Sequence, residues 1–167
     1  MLVPARLVEF THALPKLEVQ FGCGGIRIFS AAELDDAQVG YSVLPRAESL
    51  CDIVEGKWRS FWIVVGQDTG VGDPIFIDSA DPKLPAFTAM TGEGFWNPIP
   101  IASSIEAFGQ IFREFEKIAS GRSNPVEAED NPILDSDKDA FLACVREING
   151  DNSGKAFWEA LFGYVSD

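Results

Sequence analysis

Residues 58–79 read WRSFWIVVGQDTGVGDPIFIDS, two apolar runs separated by a turn of glycine and aspartate. Towards the carboxyl end of residues 58–65, both sets of alternating side chains are largely apolar. This pattern predicts a central strand that is covered on both faces. Residues 66–74 indicate a turn, because glycine supplies positive φ and aspartate hydrogen-bonds its own backbone. Residues 74–79 predict the next strand, so the whole stretch is typical of a β-hairpin.

The chain on either side of this hairpin predicts elements of both kinds. Residues 78–82 indicate another turn and residues 86–91 a third strand, which favours an antiparallel meander. Upstream, residues 26–29 predict a short strand. Residues 4–20 carry apolar side chains at helical spacing, and Pro15 must break or cap that helix because proline lacks an N–H.

The clearest helix signal follows the strands. Ser103-Ser104-Ile105-Glu106 has the form of a capping box, and apolar residues follow it at helical spacing up to residue 118. Gly121 fits a cap at the far end. A second capping box, Ser30-Ala31-Ala32-Glu33, predicts another helix start. We therefore expect an amphipathic helix laid against the sheet.

The carboxyl-terminal part is distinguished by its charge. Residues 123–139 hold six acids, one lysine and two prolines, which is typical of an acidic linker. Two short helices are predicted after it, and the aromatic residues of the second should dock on the main body. The predicted organisation is an α+β domain over residues 1–122, a linker over 123–135 and a helical extension over 136–167.

Composition narrows the class of protein. The 167 residues fit one domain, and a hydrophobic content of 46% supplies an ample core. The longest strongly apolar run, residues 61–65, is far shorter than the ~20 residues that cross a bilayer. Residues 1–16 lack a basic start followed by an apolar block, so no secretory signal is expected. These features predict a soluble protein of the cytoplasm.

The net charge of −13, from 26 acidic and 13 basic residues, bears on partners. Binding to phosphate backbones or anionic lipid depends on Lys and Arg, so neither nucleic acid nor a membrane is expected as a partner. An acidic surface attracts basic proteins and raises their association rate at low salt. The alternative is that the charge serves solubility alone.

No metal site or cofactor is predicted. Cys23, Cys51 and Cys144 match no zinc spacing and are expected to be reduced, partly buried hydrophobes. Four aspartates of the predicted turns could bind a hard cation through oxygen; they are Asp68, Asp73, Asp78 and Asp81. Their spacing does not fit a calcium loop, and aspartate is an ordinary residue in such turns.

Three short patterns raise the question of catalysis. Asp68-Thr69-Gly70 matches the tripeptide of aspartic proteases, which need two carboxylates sharing a proton, so one copy would require a homodimer. Gly22-Cys23-Gly24-Gly25 lacks the Lys-Ser/Thr of a phosphate loop, and His12 accompanies no recognisable nucleophile. We predict no catalytic residues, with a small hydrolase that uses Asp68 or another carboxylate as an alternative.

Four segments, taken in order, resemble the SUKH superfamily. They are residues 24–34 (GGIRIFSAAEL), 62–66 (WIVVG) with 72–78 (GDPIFID), 94–96 (GFW) and 101–108 (IASSIEAF). In that family they correspond to a glycine pair with a strand and a Ser-x-x-Glu-Leu helix, a central hairpin, and a junction from strand to helix. Ile105 replaces the Phe usual at the junction. The likeness covers residues 14–120.

The resemblance implies an α+β fold with an antiparallel sheet of about five or six strands flanked by helices. The family includes bacterial immunity proteins that neutralise secreted toxins, often nucleases, and fungal regulators of glucan synthesis. It supplies no catalytic residues. The acidic charge agrees with the immunity function, because nucleases carry basic clefts that an acidic binder can occupy.

We therefore expect a non-enzymatic binding module, an immunity protein against a basic, nuclease-type toxin. A regulatory scaffold of the glucan-synthesis type is the alternative among binding proteins. Tryptophan is enriched among interface anchors; Trp62, in mid-strand, is expected in the core, and Trp96, in a loop, partly exposed. The expected partner-binding residues are acids in turns together with that tryptophan: Asp68, Asp73, Asp81, Glu93 and Trp96.

Overall fold

The computed structural model describes residues 3–46 and 48–166. At its centre lies a six-stranded sheet whose strands follow chain order, each antiparallel to the next. The strands are β1 (Glu18–Phe21), β2 (Gly24–Ile28), β3 (Trp62–Asp68), β4 (Pro74–Asp78), β5 (Ala86–Thr88) and β6 (Ile99–Ala102). The prediction of an α+β fold with an antiparallel sheet flanked by helices is confirmed.

Among residues 3–46 and 48–166, six α-helices accompany the sheet, and a 3-10 helix follows the last of them. They are α1 (Ala5–Ala13), α2 (Leu34–Ala37), α3 (Ile105–Ala119), α4 (Pro125–Asp130), α5 (Asp135–Asn149), α6 (Lys155–Ala160) and the 3-10 helix Leu161–Tyr164. No helix of the described residues is long and apolar enough to cross a membrane.

Helix α3 forms where its apolar spacing predicts, but its start is shifted by one residue. Its N-cap is Ser104, whose Oγ accepts the N–H of Ala107 at 3.0 Å. Glu106 does not close the capping box on Ser103; its carboxylate instead pairs with Arg6 of α1 at 2.5 Å. Phenylalanines on one face of α3 are completely buried against the sheet.

The boundaries of the central hairpin differ from the prediction. Strand β3 begins at Trp62, four residues later than predicted, and continues to Asp68 inside the segment predicted as a turn. Gly66 and Gln67 extend the ladder because they pair with β4 after a register shift that follows Val64. The turn is therefore confined to residues 69–73. Strand β1, with only four residues, was not predicted by the pattern.

The two faces of the sheet are covered by different segments of the chain. One face packs against α1, α3, α5 and α6 in the main hydrophobic core. The other face carries a second, smaller core of Trp58, Val64, Phe76 and Ala89. The side chains that pack against it are Phe29, Ala37, Tyr41, Cys51, Trp62, Phe87 and Trp96. The covering of both faces explains why β3 and β4 are apolar on both sides.

The carboxyl-terminal segment packs on the same body. Trp158 of α6 is completely buried in the main core, and its Nε1 donates to the backbone oxygen of Ile101 at 3.1 Å. Asn149 accepts the N–H of Ser103 at 2.9 Å. These side chains therefore occupy the outer edge of the sheet at β6. The segment predicted as a linker, residues 123–135, contains α4, which buries Ala128.

Candidate functional site: an apolar patch above an aromatic cluster

Asp68, one of the predicted contact residues, is buried with 6% of its surface exposed. Its Oδ1 accepts the N–H groups of Gly70 at 2.8 Å and Val71 at 3.3 Å, and the Tyr164 hydroxyl at 2.6 Å. The sequence predicts Asp68 in a turn, but Asp68 is the last residue of β3, and the end of the chain covers its carboxylate. This carboxylate stabilises the turn that carries the Asp-Thr-Gly tripeptide.

The other predicted contact residues lie at two ends of the sheet. Asp73 is half-buried and accepts both the N–H and the hydroxyl of Thr91, at 2.8 and 2.9 Å. This joins the β3–β4 turn to the β5–β6 connection, which carries the exposed Glu93 and the half-buried Trp96. Asp81 lies in the β4–β5 turn at the opposite end, where it accepts the N–H two residues later at 2.7 Å. The structure therefore does not gather all five residues on one surface.

Trp96 belongs to an aromatic cluster on the sheet face opposite α1, α3, α5 and α6. The Trp96 ring lies 5.2 Å from Trp58 and 5.5 Å from Tyr41 between centroids, and the Trp96 backbone N–H donates to the Gly56 backbone oxygen at 2.8 Å. The cluster comprises Tyr41, Trp58, Trp62, Phe76, Phe87 and Trp96. The expectation of a partly exposed Trp96 is confirmed. Trp62, expected in the core, is half-buried at the margin of this cluster.

Four exposed apolar side chains lie on the loops that contact this cluster, and we call them the loop patch: Ile53, Val54, Phe61 and Phe95. Ile53 is 92% exposed, and it lines a shared groove with Phe61. Phe95 lies directly against Gly56, where an added Cβ would be 2.9 Å from the Cβ of Phe95. Neighbouring exposed apolar side chains of this kind mark interaction sites in soluble proteins.

The loop that presents Ile53 and Val54 is held by its own hydrogen bonds. The Asp52 carboxylate accepts the N–H groups of both residues, at 2.6 and 3.2 Å. The Asp52 N–H donates to the Trp58 oxygen at 3.0 Å, and Arg59 Nη1 donates to the Asp52 oxygen at 3.1 Å. The loop is thus closed on the aromatic cluster, and its apolar tip is preorganised for contact.

The charges around the patch are mixed, with an excess of acids. Residues 48–61 and 89–98 contain four carboxylates and two cations: Glu48, Asp52, Glu55 and Glu93, with Lys57 and Arg59. Of the predicted contact residues, Glu93 and Trp96 therefore adjoin the patch. Sequence reasoning missed its four apolar members, although Ile53-Val54 between Asp52 and Glu55 is an apolar pair in an otherwise polar loop.

No protein-family model, curated protein or solved structure matches this chain. The resemblance to the SUKH superfamily therefore stays a prediction from the four sequence segments. Within the described part of the chain, no three His, Cys, Asp or Glu side chains are grouped to hold a metal ion.

Proposed function

We propose that this protein is a binding module that captures a basic partner protein through the loop patch. The observation that carries the proposal is the exposure of Ile53, Val54, Phe61 and Phe95 on loops seated against an ordered aromatic cluster. A few well-packed residues at the centre of an interface supply most of its binding energy, and aromatic side chains such as Phe are enriched there.

Electrostatics supports a basic partner over a neutral one. The chain carries a net charge of −13, and acids outnumber cations around the patch. Such a field accelerates the encounter with a positively charged protein and sets the orientation in which it docks. The apolar contacts then determine how slowly the complex dissociates.

The kind of partner that we propose is a nuclease-type toxin, so that the protein acts as an immunity protein. Two arguments support this: the resemblance of four ordered segments to the SUKH superfamily, and the match between an acidic binder and a basic substrate cleft. In this proposal the protein performs no catalysis and blocks its partner by occupying the cleft.

The test compares patch variants with matched variants elsewhere on the surface. Immobilised wild type, the double variant I53S/F95S and the control V126S/L134S are offered lysate from the source organism at low and then moderate salt. Val126 and Leu134 are 66% and 62% exposed in α4 and just before α5, which makes them comparable apolar surface positions.

We expect a stoichiometric basic protein on the wild type and on the control, and its loss from the patch double variant. The purified partner should degrade nucleic acid, and the wild type should inhibit it. Retention by the patch double variant, or a partner that is acidic, would contradict the proposal.

A further inference from the structure

The two edges of the sheet differ in the hydrogen bonding of their backbone groups. At β6, the Asn149 side chain accepts the Ser103 N–H, and the Trp158 indole N–H donates to the Ile101 oxygen. At β1 the register pairs Glu18 with Arg27 and Val19 with Ile26. The Ile28 N–H donates to the Leu17 oxygen at 2.6 Å, so Leu17 and Ile28 form a hydrogen-bonded pair. Because such pairs alternate along an antiparallel ladder, Val19 also directs its backbone N–H and C=O groups towards β2.

It follows that the backbone N–H and C=O groups of Glu18 and Gln20 point away from the sheet. Among residues 3–46 and 48–166, none of these four groups has a hydrogen-bond partner. The edge closes only beyond the strand, where the Gly22 N–H donates to the Arg122 oxygen at 2.7 Å. Unpaired groups of this kind are a template for another strand.

A groove with a volume of about 710 Å³ follows this edge. Val19 and Gln20 of β1 form one side, and the last turns of α3, with Arg113 and Lys117, form the other. The groove thus combines an open strand edge with a polar wall. This is the arrangement in which an extended peptide adds a strand and places alternate side chains against the wall.

The groove lining holds one more cation than carboxylates, whereas acids predominate in the chain as a whole. The groove is lined by three cations and two carboxylates: Lys16, Arg113 and Lys117, with Glu18 and Glu116. Lys16 pairs with Glu116 at 3.1 Å and Lys117 with Glu114 at 2.6 Å. Within the described part of the chain, Arg113 has no carboxylate partner and donates to the Ala13 oxygen at 3.2 Å.

We infer that the β1 edge binds an extended acidic segment of another protein, which pairs with Glu18 and Gln20 and places a carboxylate against Arg113. A second copy of this chain is a poor occupant, because two molecules of charge −13 repel each other. The inference does not depend on the loop patch or on its proposed partner.

The probe is a phage-displayed library of random dodecapeptides, selected on the wild-type protein. We expect enriched peptides with an acidic residue in an extended, alternating pattern. Gln20→Pro removes only an N–H that faces outwards, which edge strands tolerate, and should weaken these peptides at least about tenfold. Gln20→Ala, which keeps the N–H, should leave their affinity unchanged.

Two further measurements keep the test independent of folding in the proline variant. Arg113→Gln should weaken the acidic peptides several-fold, whereas I53S/F95S should not affect them. In the wild type, a bound peptide should slow hydrogen exchange at the amides of Glu18 and Gln20. Selection of no peptide, or of peptides that bind without slowing these two amides, would overturn the inference.

Discussion

The hydroxyl of Tyr164 donates a 2.6 Å hydrogen bond to Oδ1 of Asp68, a residue 96 positions earlier in the chain. The tyrosine ring lies against two glycines from different hairpins: a Cβ on Gly24 would come within 2.6 Å of it, and one on Gly70 within 2.3 Å. The glycine-rich turn and the Asp-Thr-Gly tripeptide, which in sequence resemble catalytic patterns, therefore together form a socket for the end of the chain.

Gly70→Ala tests this socket. The added methyl group would overlap the Tyr164 ring, so either the ring or the turn must move, and we expect a loss of about 1–3 kcal/mol in the free energy of unfolding. The measurement is urea denaturation. Gly163→Ala is the control, because nothing lies within 4 Å of a Cβ at that position.

The loss of unfolding free energy caused by Gly70→Ala should be smaller when the Tyr164 ring is absent. In a Tyr164→Ala background, Gly70→Ala should cost much less, since the two positions share one contact and their effects are coupled. Equal losses with and without the ring would show that Gly70 is required for the conformation of its turn and not for the fit of Tyr164.

Gln38 is a buried polar side chain that links α2 to the centre of the sheet. Its Oε1 accepts the Val64 N–H at 3.0 Å, and its Nε2 donates to the oxygens of Val64 and Leu34 at 2.9 and 2.8 Å. Gln38→Leu would leave the buried Val64 groups unpaired beside the register shift of β3. We expect a loss of about 2–4 kcal/mol in the free energy of unfolding.

Gln110→Ala provides the comparison, because Gln110 is exposed on α3. Chemical denaturation should show that it changes stability by no more than about 0.5 kcal/mol. If Gln38→Leu changed the free energy of unfolding as little as Gln110→Ala, water or a relaxed loop would have to supply the hydrogen bonds of the Val64 N–H and C=O groups.

Local patterns were sufficient for the elements with strong periodicity. The β3–β4 hairpin and α3 follow from alternation and from helical spacing over more than one turn, which depend only on neighbouring residues. Strand β1 was missed because EVQF has only two inward side chains, and α4 because its acids and its proline are also typical of a linker.

The candidate site was predictable only in part. The loop context of Trp96 indicated partial exposure correctly, since Gly and Pro flank it. The burial of Asp68 depends on Tyr164, and the exposure of Ile53 depends on how its loop folds over the aromatic cluster. Such contacts join positions far apart in sequence, and no short pattern records them.

Asn149→Ala should weaken the protected edge of the sheet. The side chain accepts the Ser103 N–H at 2.9 Å and donates to the Ser153 oxygen at 2.7 Å, so its removal leaves backbone groups of two segments unpaired. We expect a loss of about 1–3 kcal/mol, measured by thermal or urea unfolding. Asn97→Ala, at an exposed position, should be nearly neutral; similar losses for both would contradict the role of Asn149.

The tyrosine socket also predicts how stability changes at alkaline pH. Burial, the hydrogen bond to Asp68 and the charges of Asp68 and Asp73 raise the pKa of Tyr164 far above its ordinary value of 10.0. The native state therefore retains a proton that the unfolded chain releases. Stability from this group is fully present below pH 10.0 and declines as the pH rises above it.

Tyr164→Phe removes this contribution, so its free energy of unfolding should fall less than that of the wild type between about pH 9 and about pH 11. Tyr41→Phe is the variant matched to Tyr164→Phe, because Tyr41 is the only other tyrosine of the sequence. Burial, followed by the charge of Asp73, raises the pKa of Tyr41 as well. Urea denaturation across this range, with tyrosinate absorbance recorded in the native state, provides the measurement. Identical pH dependence in the wild type and Tyr164→Phe, or tyrosinate formation at Tyr164 near pH 10.0 in the folded protein, would show that the hydroxyl is not held by Asp68 in solution.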